Sequence, residues 1–155
     1  MVHSRIAQAR LKSLLRQFPI VTLLGLRQVG KSTFARWALP GFDILDLEDP
    51  ATLLRLETDG QLILEQSKKT VIDEAQRLPA LFPLLRSHID RHQNHKIVLL
   101  GSASPALVKK ISESLAGRTG FLELGGISIL EGDQEPLWIK GAFPRLHWSR
   151  PLASP

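Results

Sequence analysis

The chain contains no cysteine. Disulfides, thiolate nucleophiles and cysteine metal ligands are therefore excluded. No apolar run approaches the roughly 20 residues that a membrane-spanning helix requires, so no membrane partner is expected. The opening stretch MVHSRIAQARLKSLL lacks the shape of a cleavable signal, because charges interrupt its apolar residues. A cytoplasmic location is the expectation that remains. Internal repeats and low-complexity tracts are also missing. Acidic residues are absent from both ends: residues 1–16 carry Arg5, Arg10, Lys12 and Arg16, and residues 137–155 carry Lys140, Arg145 and Arg150, with no acid in either segment. Such ends suit a nucleic-acid partner, and equally a solvated helix face and tail. Trp138 and Trp148, close to the second basic group, could stack on bases or mark a surface that another domain covers.

What is present fits one ordinary domain. The chain has 155 residues, 43% of them hydrophobic and 23% charged, with a net charge of +5, enough for one sizeable core. Ser4 is placed to cap a first helix, whose apolar face is Leu11, Leu14, Leu15 and Phe18. Five short β-rich runs follow: PIVTLLG, FDILDLEDP, TVIDEAQ, KIVLLGSAS and GFLELGG. Helical segments separate them. One runs from about Gly30 to Pro40, one from Pro50 to a stop at Gly60, one spans LPALFPLLRSHIDRHQNH, and one starts at Ser104 and Pro105 and ends near Arg118. Asp49 is a natural N-cap for the helix that begins at Pro50. Alternation of this kind predicts an α/β fold with a mostly parallel five-stranded sheet between helical layers. Ligands in such sheets bind at the carboxyl ends of the strands, and GLRQVGKS, DE and GSAS all fall at such ends.

Gly25, Gly30, Lys31 and Ser32 fit G-x-x-x-x-G-K-[ST], a phosphate loop. Glycines let the backbone close around phosphate oxygens, and successive N–H groups at a helix N-terminus face the anion. Gly25, Leu26, Arg27, Gln28, Val29, Gly30, Lys31, Ser32 and Thr33 form the candidate ATP-binding set. Lys31 would neutralise β- and γ-phosphate charge, and Ser32 would ligate Mg²⁺. The motif follows a predicted strand and opens a predicted helix, its confirming context. Asp73 is the candidate second anchor for Mg²⁺, and Glu74 the candidate base for the attacking water. FDILDL lies between the phosphate loop and this acidic strand in sequence; if it also separates them in the sheet, the topology is that of ATPases with a catalytic glutamate rather than of metabolite kinases. Ser102 is a candidate sensor between γ-phosphate and water, compatible with Ser104 capping the next helix. Arg118 is a candidate arginine finger, in cis or towards a neighbouring subunit of a homo-oligomer, or an arginine favoured at a helix C-terminus. His88, His92 and His95 have metal-ligand spacing but read more simply as a solvated helix end. Asp46 could support the nucleotide region from behind.

RQVGKST, LDLEDP, VIDEAQRLP, LLGSAS and SLAGR, in that order, resemble the prokaryotic AAA-type ATP-binding proteins, P-loop ATPases that usually carry a C-terminal domain of unknown function. The resemblance runs from about residue 5 to about residue 131. It implies an AAA+-like αβα core, Mg·ATP binding and hydrolysis acting on an unknown protein partner. Lys31 and Ser32 match the phosphate-loop (Walker A) positions, Asp73 and Glu74 the acidic (Walker B) pair, Ser102 the sensor, and Arg118 the arginine of SLAGR. The ending departs from the family: EPLWIKGAFP has Ala142 where members usually have a second glycine. The expectation is an ATPase domain over 1–131 and a loosely ordered linker over 132–155, from a member truncated before its second domain. A nucleotide-binding module without turnover, and a nucleic-acid-binding ATPase, are the alternatives.

Overall fold

The computed structural model describes residues 7–125. Ser4, Arg5 and everything from residue 126 onward, including Trp138, Lys140, Arg145, Trp148, Arg150 and the expected 132–155 linker, lie outside the described residues. Helix α1 (Ala7–Gln17) leads into strand β1 (Ile20–Gly25), then α2 (Lys31–Ala38), β2 (Asp43–Asp46), α3 (Pro50–Gln66) and β3 (Lys69–Asp73). A 3₁₀ turn (Ala75–Arg77) precedes α4 (Leu81–Arg91), β4 (Lys96–Ser102), α5 (Pro105–Ser114) and β5 (Thr119–Glu123). The five strands form one parallel sheet in the order β2-β3-β4-β1-β5.

The central strands β1, β3 and β4 are apolar on consecutive residues because both faces of the sheet are covered there. Alternation sorts them into two layers. Ile72, Ile97 and Leu99 pack with Leu56 and Leu64 of α3, Phe82 and Leu85 of α4, and Leu107 and Ile111 of α5. Val71, Val98 and Leu100 face the other way, with Leu11 of α1 and Phe34, Ala35 and Ala38 of α2. Among the described residues no helix is long and apolar enough to cross a membrane.

Three sequence expectations are corrected here. Gly60 does not end α3, which continues to Gln66 after a kink at Asp59 (φ −120°, ψ 22°). Gly60 is buried instead at the crossing with α4, where a Cβ would lie 2.8 Å from Leu84 Cδ2. The glycine answers a close helix–helix approach, not a C-cap. Second, FDILDL does not separate the phosphate-loop strand from the acidic strand. It forms the edge strand β2, and β4 is the strand inserted between β1 and β3. Third, the histidines are not a solvated helix end: α4 stops at Arg91, His88 is wholly buried and His95 is buried in the following loop. His88 Nε2 and His95 Nδ1 share a 3.0 Å hydrogen bond, and the ring of His92 stacks against that of His95. The Asp49 cap is present, accepting from the Thr52 N–H at 3.0 Å and the Thr52 hydroxyl at 2.7 Å. Those bonds from Thr52 hold its carboxyl below the ordinary range.

Candidate functional site

The carboxyl ends of β1, β3 and β4 meet at one edge of the sheet. Gly25, closing β1, pairs with Ser102, closing β4. A Cβ on Gly25 would lie 2.6 Å from the Leu124 carbonyl oxygen, so glycine is required there by the neighbouring backbone. The loop then turns through Gln28 (φ 64°) and Gly30 (φ 89°), both left-handed. Glycine adopts this conformation freely, whereas glutamine does so at a cost. Val29 is buried in the core and its N–H donates to the Leu26 carbonyl at 3.4 Å, while Leu26, Arg27 and Gln28 are exposed. Arg27 reaches the exposed Glu48 at 4.0 Å. Helix α2 begins at Lys31 with no side-chain cap, the kind of helix start whose free N–H groups suit an anion. Ser32 and Thr33 lie in this first turn, half-buried and exposed respectively.

Lys31 is buried, and its ammonium donates to the Gly25 carbonyl at 3.1 Å and the Leu26 carbonyl at 2.9 Å. Burial lowers its pKa, opposed by the nearby negative charges of Glu74 and then Asp73, while Arg27 lowers it further. Lys31, Glu74 and Asp73 therefore share one electrostatic environment. Asp73 ends β3 almost fully buried, with Oδ1 accepting from the Glu74 N–H at 2.9 Å. Its other oxygen and the Ser32 hydroxyl are hard oxygen donors of the kind Mg²⁺ prefers, and that ion commonly keeps several waters beside one or two protein ligands. The residues present thus fit the ion. Among the described residues no group of three or more His, Asp or Glu side chains is arranged to hold a metal.

Glu74 follows Asp73, the last residue of β3. It sits one residue past β3 in a left-handed conformation (φ 53°, ψ 42°) that starts the 3₁₀ turn. Gln76, which the sequence reading passed over, donates from Nε2 to Glu74 Oε2. The spacing Glu-x-Gln across a tight turn is the only sequence signal for it. Asp46 pairs in register with Asp73, but its side chain accepts from the Glu48 N–H at 2.9 Å and is occupied by that local turn. Ser104 caps α5 through the Leu107 N–H at 3.3 Å, leaving Ser102 to the sheet edge.

Arg118 is not brought to this site. It immediately precedes β5, and its carbonyl accepts from the N–H of Ile20, the first residue of β1. It therefore lies at the amino edge of the sheet, a full strand away from the phosphate loop, about 3.3 Å per residue. There Nε and Nη2 clasp Asp90 at 2.6 Å and 2.9 Å, and Nη1 reaches the Ala116 carbonyl at 2.9 Å. The expected finger in cis is corrected on this ground.

Comparison with known proteins follows the same lines. The chain is 40% identical over 152 residues to uncharacterized proteins of Mycobacterium tuberculosis and Mycobacterium bovis, covering 93% of this chain and 34% of each of theirs. It thus spans about a third of the length of these relatives. Among solved structures, the Walker-type ATPase PABY2304 of Pyrococcus abyssi superposes with a TM-score of 0.59 at 20% identity, over 82% of this chain and 55% of that one, a likeness of fold. The sequence model of the family described as "AAA domain" matches residues 17–132, a span that holds all five strands, the phosphate loop and the acidic pair. The chain belongs to that family, as an AAA-type P-loop domain of the ATP-binding kind.

Proposed function

We propose that this domain binds Mg·ATP at Gly25–Thr33 and hydrolyses it, using the energy on a protein partner. The observation that carries the reading is the convergence of Lys31, Asp73, Glu74 and Ser102 at one edge, with Lys31 feeling the charge of both carboxylates. Lys31 would move from its two carbonyls to the β- and γ-phosphate oxygens. Ser32 and Asp73 would hold the magnesium ion, whose charge offsets that of the phosphates. Glu74 takes a proton from water as the water oxygen attacks the γ-phosphorus. The bond from that phosphorus to the bridging oxygen breaks, and ADP and phosphate leave. Ser102, beside the loop's root, would hydrogen-bond the γ-phosphate or the water. The insertion of β4 between β1 and β3 supports the reading, since it sets Ser102, the last residue of β4, at the sheet edge between the phosphate-loop strand and the acidic strand.

The test is calorimetric titration of Mg·ATP followed by single-turnover hydrolysis, with Lys31→Ala as control. Glu74→Gln should bind as the native chain does and turn over at least about 100-fold more slowly, the usual scale for a positioned base. Full-rate hydrolysis by Glu74→Gln would falsify the assignment. Binding without native turnover would favour a nucleotide-binding module instead.

A further inference from the structure

The two ends of the Gln76 side chain have different surroundings. Its Nε2 donates to Glu74 Oε2. Chemistry fixes that orientation: a carboxylate only accepts, so a reversed amide would set two acceptors against each other. The amide oxygen then faces inward, where it is buried with no hydrogen-bond partner. It lies beside β4: a Cβ on Gly101 would come within 3.1 Å of it, and the same Cβ would meet Leu107 Cδ2 of α5 at 2.6 Å. Gly101 directly precedes Ser102. A buried amide oxygen without a donor is unfavourable, so the contact that keeps Gln76 in this pose is the one at its other end.

Glu74 is constrained twice. Its backbone sits at φ 53° and its carbonyl accepts the Arg77 N–H at 2.9 Å, which closes the turn. Its carboxylate is held at Oε2 by Gln76, whose far end is buried beside Gly101 of β4. The remaining oxygen is left for a proton. Resting on the hydrolysis reading above, we infer that Gln76 is a positioning residue. It fixes one oxygen of Glu74 so that the other has a single orientation towards the water, and it ties that orientation to the strand carrying Ser102.

The variant of choice is Gln76→Met, which keeps the length and volume but has no donor. It should bind Mg·ATP as the native chain does and hydrolyse it about 10- to 100-fold more slowly, the scale of a misaimed catalytic group. Added to Glu74→Gln, it should cost less than about twofold further, because the two residues act as one unit. A folded Gln76→Met with native turnover overturns the inference, as does an equal loss in the Glu74→Gln background. Gln76→Ala, checked by circular dichroism, serves if the methionine variant misfolds. A readout without turnover separates the two readings: the Gln76 side-chain amide resonance, assigned by its loss in Gln76→Met, should move in Glu74→Ala. A chain that shows this shift but no hydrolysis loses the ATPase reading and keeps the tie. A chain that hydrolyses ATP with an unmoved resonance loses the tie.

Discussion

Gly25 and Ser102 stand opposite each other as the last residues of two adjacent parallel strands. The root of the phosphate loop and the tip of β4 are thereby spaced by the sheet ladder, not by flexible side chains. Ser102→Ala should leave Mg·ATP affinity within about twofold and slow single-turnover hydrolysis by about tenfold, the worth of one hydrogen bond near 1 kcal/mol or slightly more. An unchanged rate would confine Ser102 to the start of the α5 connection.

Gly25→Ala tests the fold without nucleotide. Its Cβ would meet the Leu124 carbonyl at 2.6 Å and Val29 Cγ1 at 3.0 Å. Backbone cannot swing aside as a side chain does, and β5 is held there by the Leu124 N–H on the Leu24 carbonyl at 2.7 Å. Urea unfolding in the absence of ATP should show a loss of about 1–3 kcal/mol, the range for forced overpacking. A variant as stable as the native chain, defective only in binding, would mean that phosphate alone demands this glycine.

His88 makes stability depend on pH. Its pKa is pushed down to about 4, first by burial, then by the positive charge that His95, His92 and Arg91 would set against it, with Glu65 of α3 opposing. The His95 pKa is also lowered, chiefly by burial and by His92. A histidine whose folded pKa lies below its unfolded value takes up its proton more readily when the chain is unfolded. Nothing is lost above the unfolded pKa near 6.5, and stability declines as pH falls from there towards 4. Thermal melts across that window should show the decline, and His88→Phe should flatten it. An equally steep decline in the variant would assign the effect to other groups.

Arg118 and Asp90 should be separable from nucleotide binding. The Asp90 carboxyl is held below its ordinary range by the hydrogen bonds from Arg118, at the edge of the sheet far from Lys31. Arg118→Ala should leave the Mg·ATP affinity of the dilute chain unchanged. If turnover rises with protein concentration in the native chain and not in the variant, the arginine serves a neighbouring copy.

The order of elements, the phosphate loop and the caps at Asp49 and Ser104 were legible because each is written in adjacent residues. Gly60 was not. Locally it looks like the end of a helix, and only Leu84, 24 positions away, explains it. Sheet order is likewise non-local: nothing in FDILDL says that it will take the edge and that β4 will enter beside β1. The Arg118–Asp90 clasp depends on two elements meeting across the amino edge. The histidines misled because polar residues after a helix usually meet water, whereas here the chain folds them back on one another.

One feature of the loop bears on affinity. The Lys31 ammonium already lies on the carbonyls of Gly25 and Leu26, so the cradle is cross-braced by the cation that an incoming phosphate would claim. On the proposed reading, binding would be an exchange of partners rather than the capture of a free charge. Its enthalpy would then be the difference between two sets of bonds. A cradle braced in this way would leave less ordering for a bound nucleotide to impose.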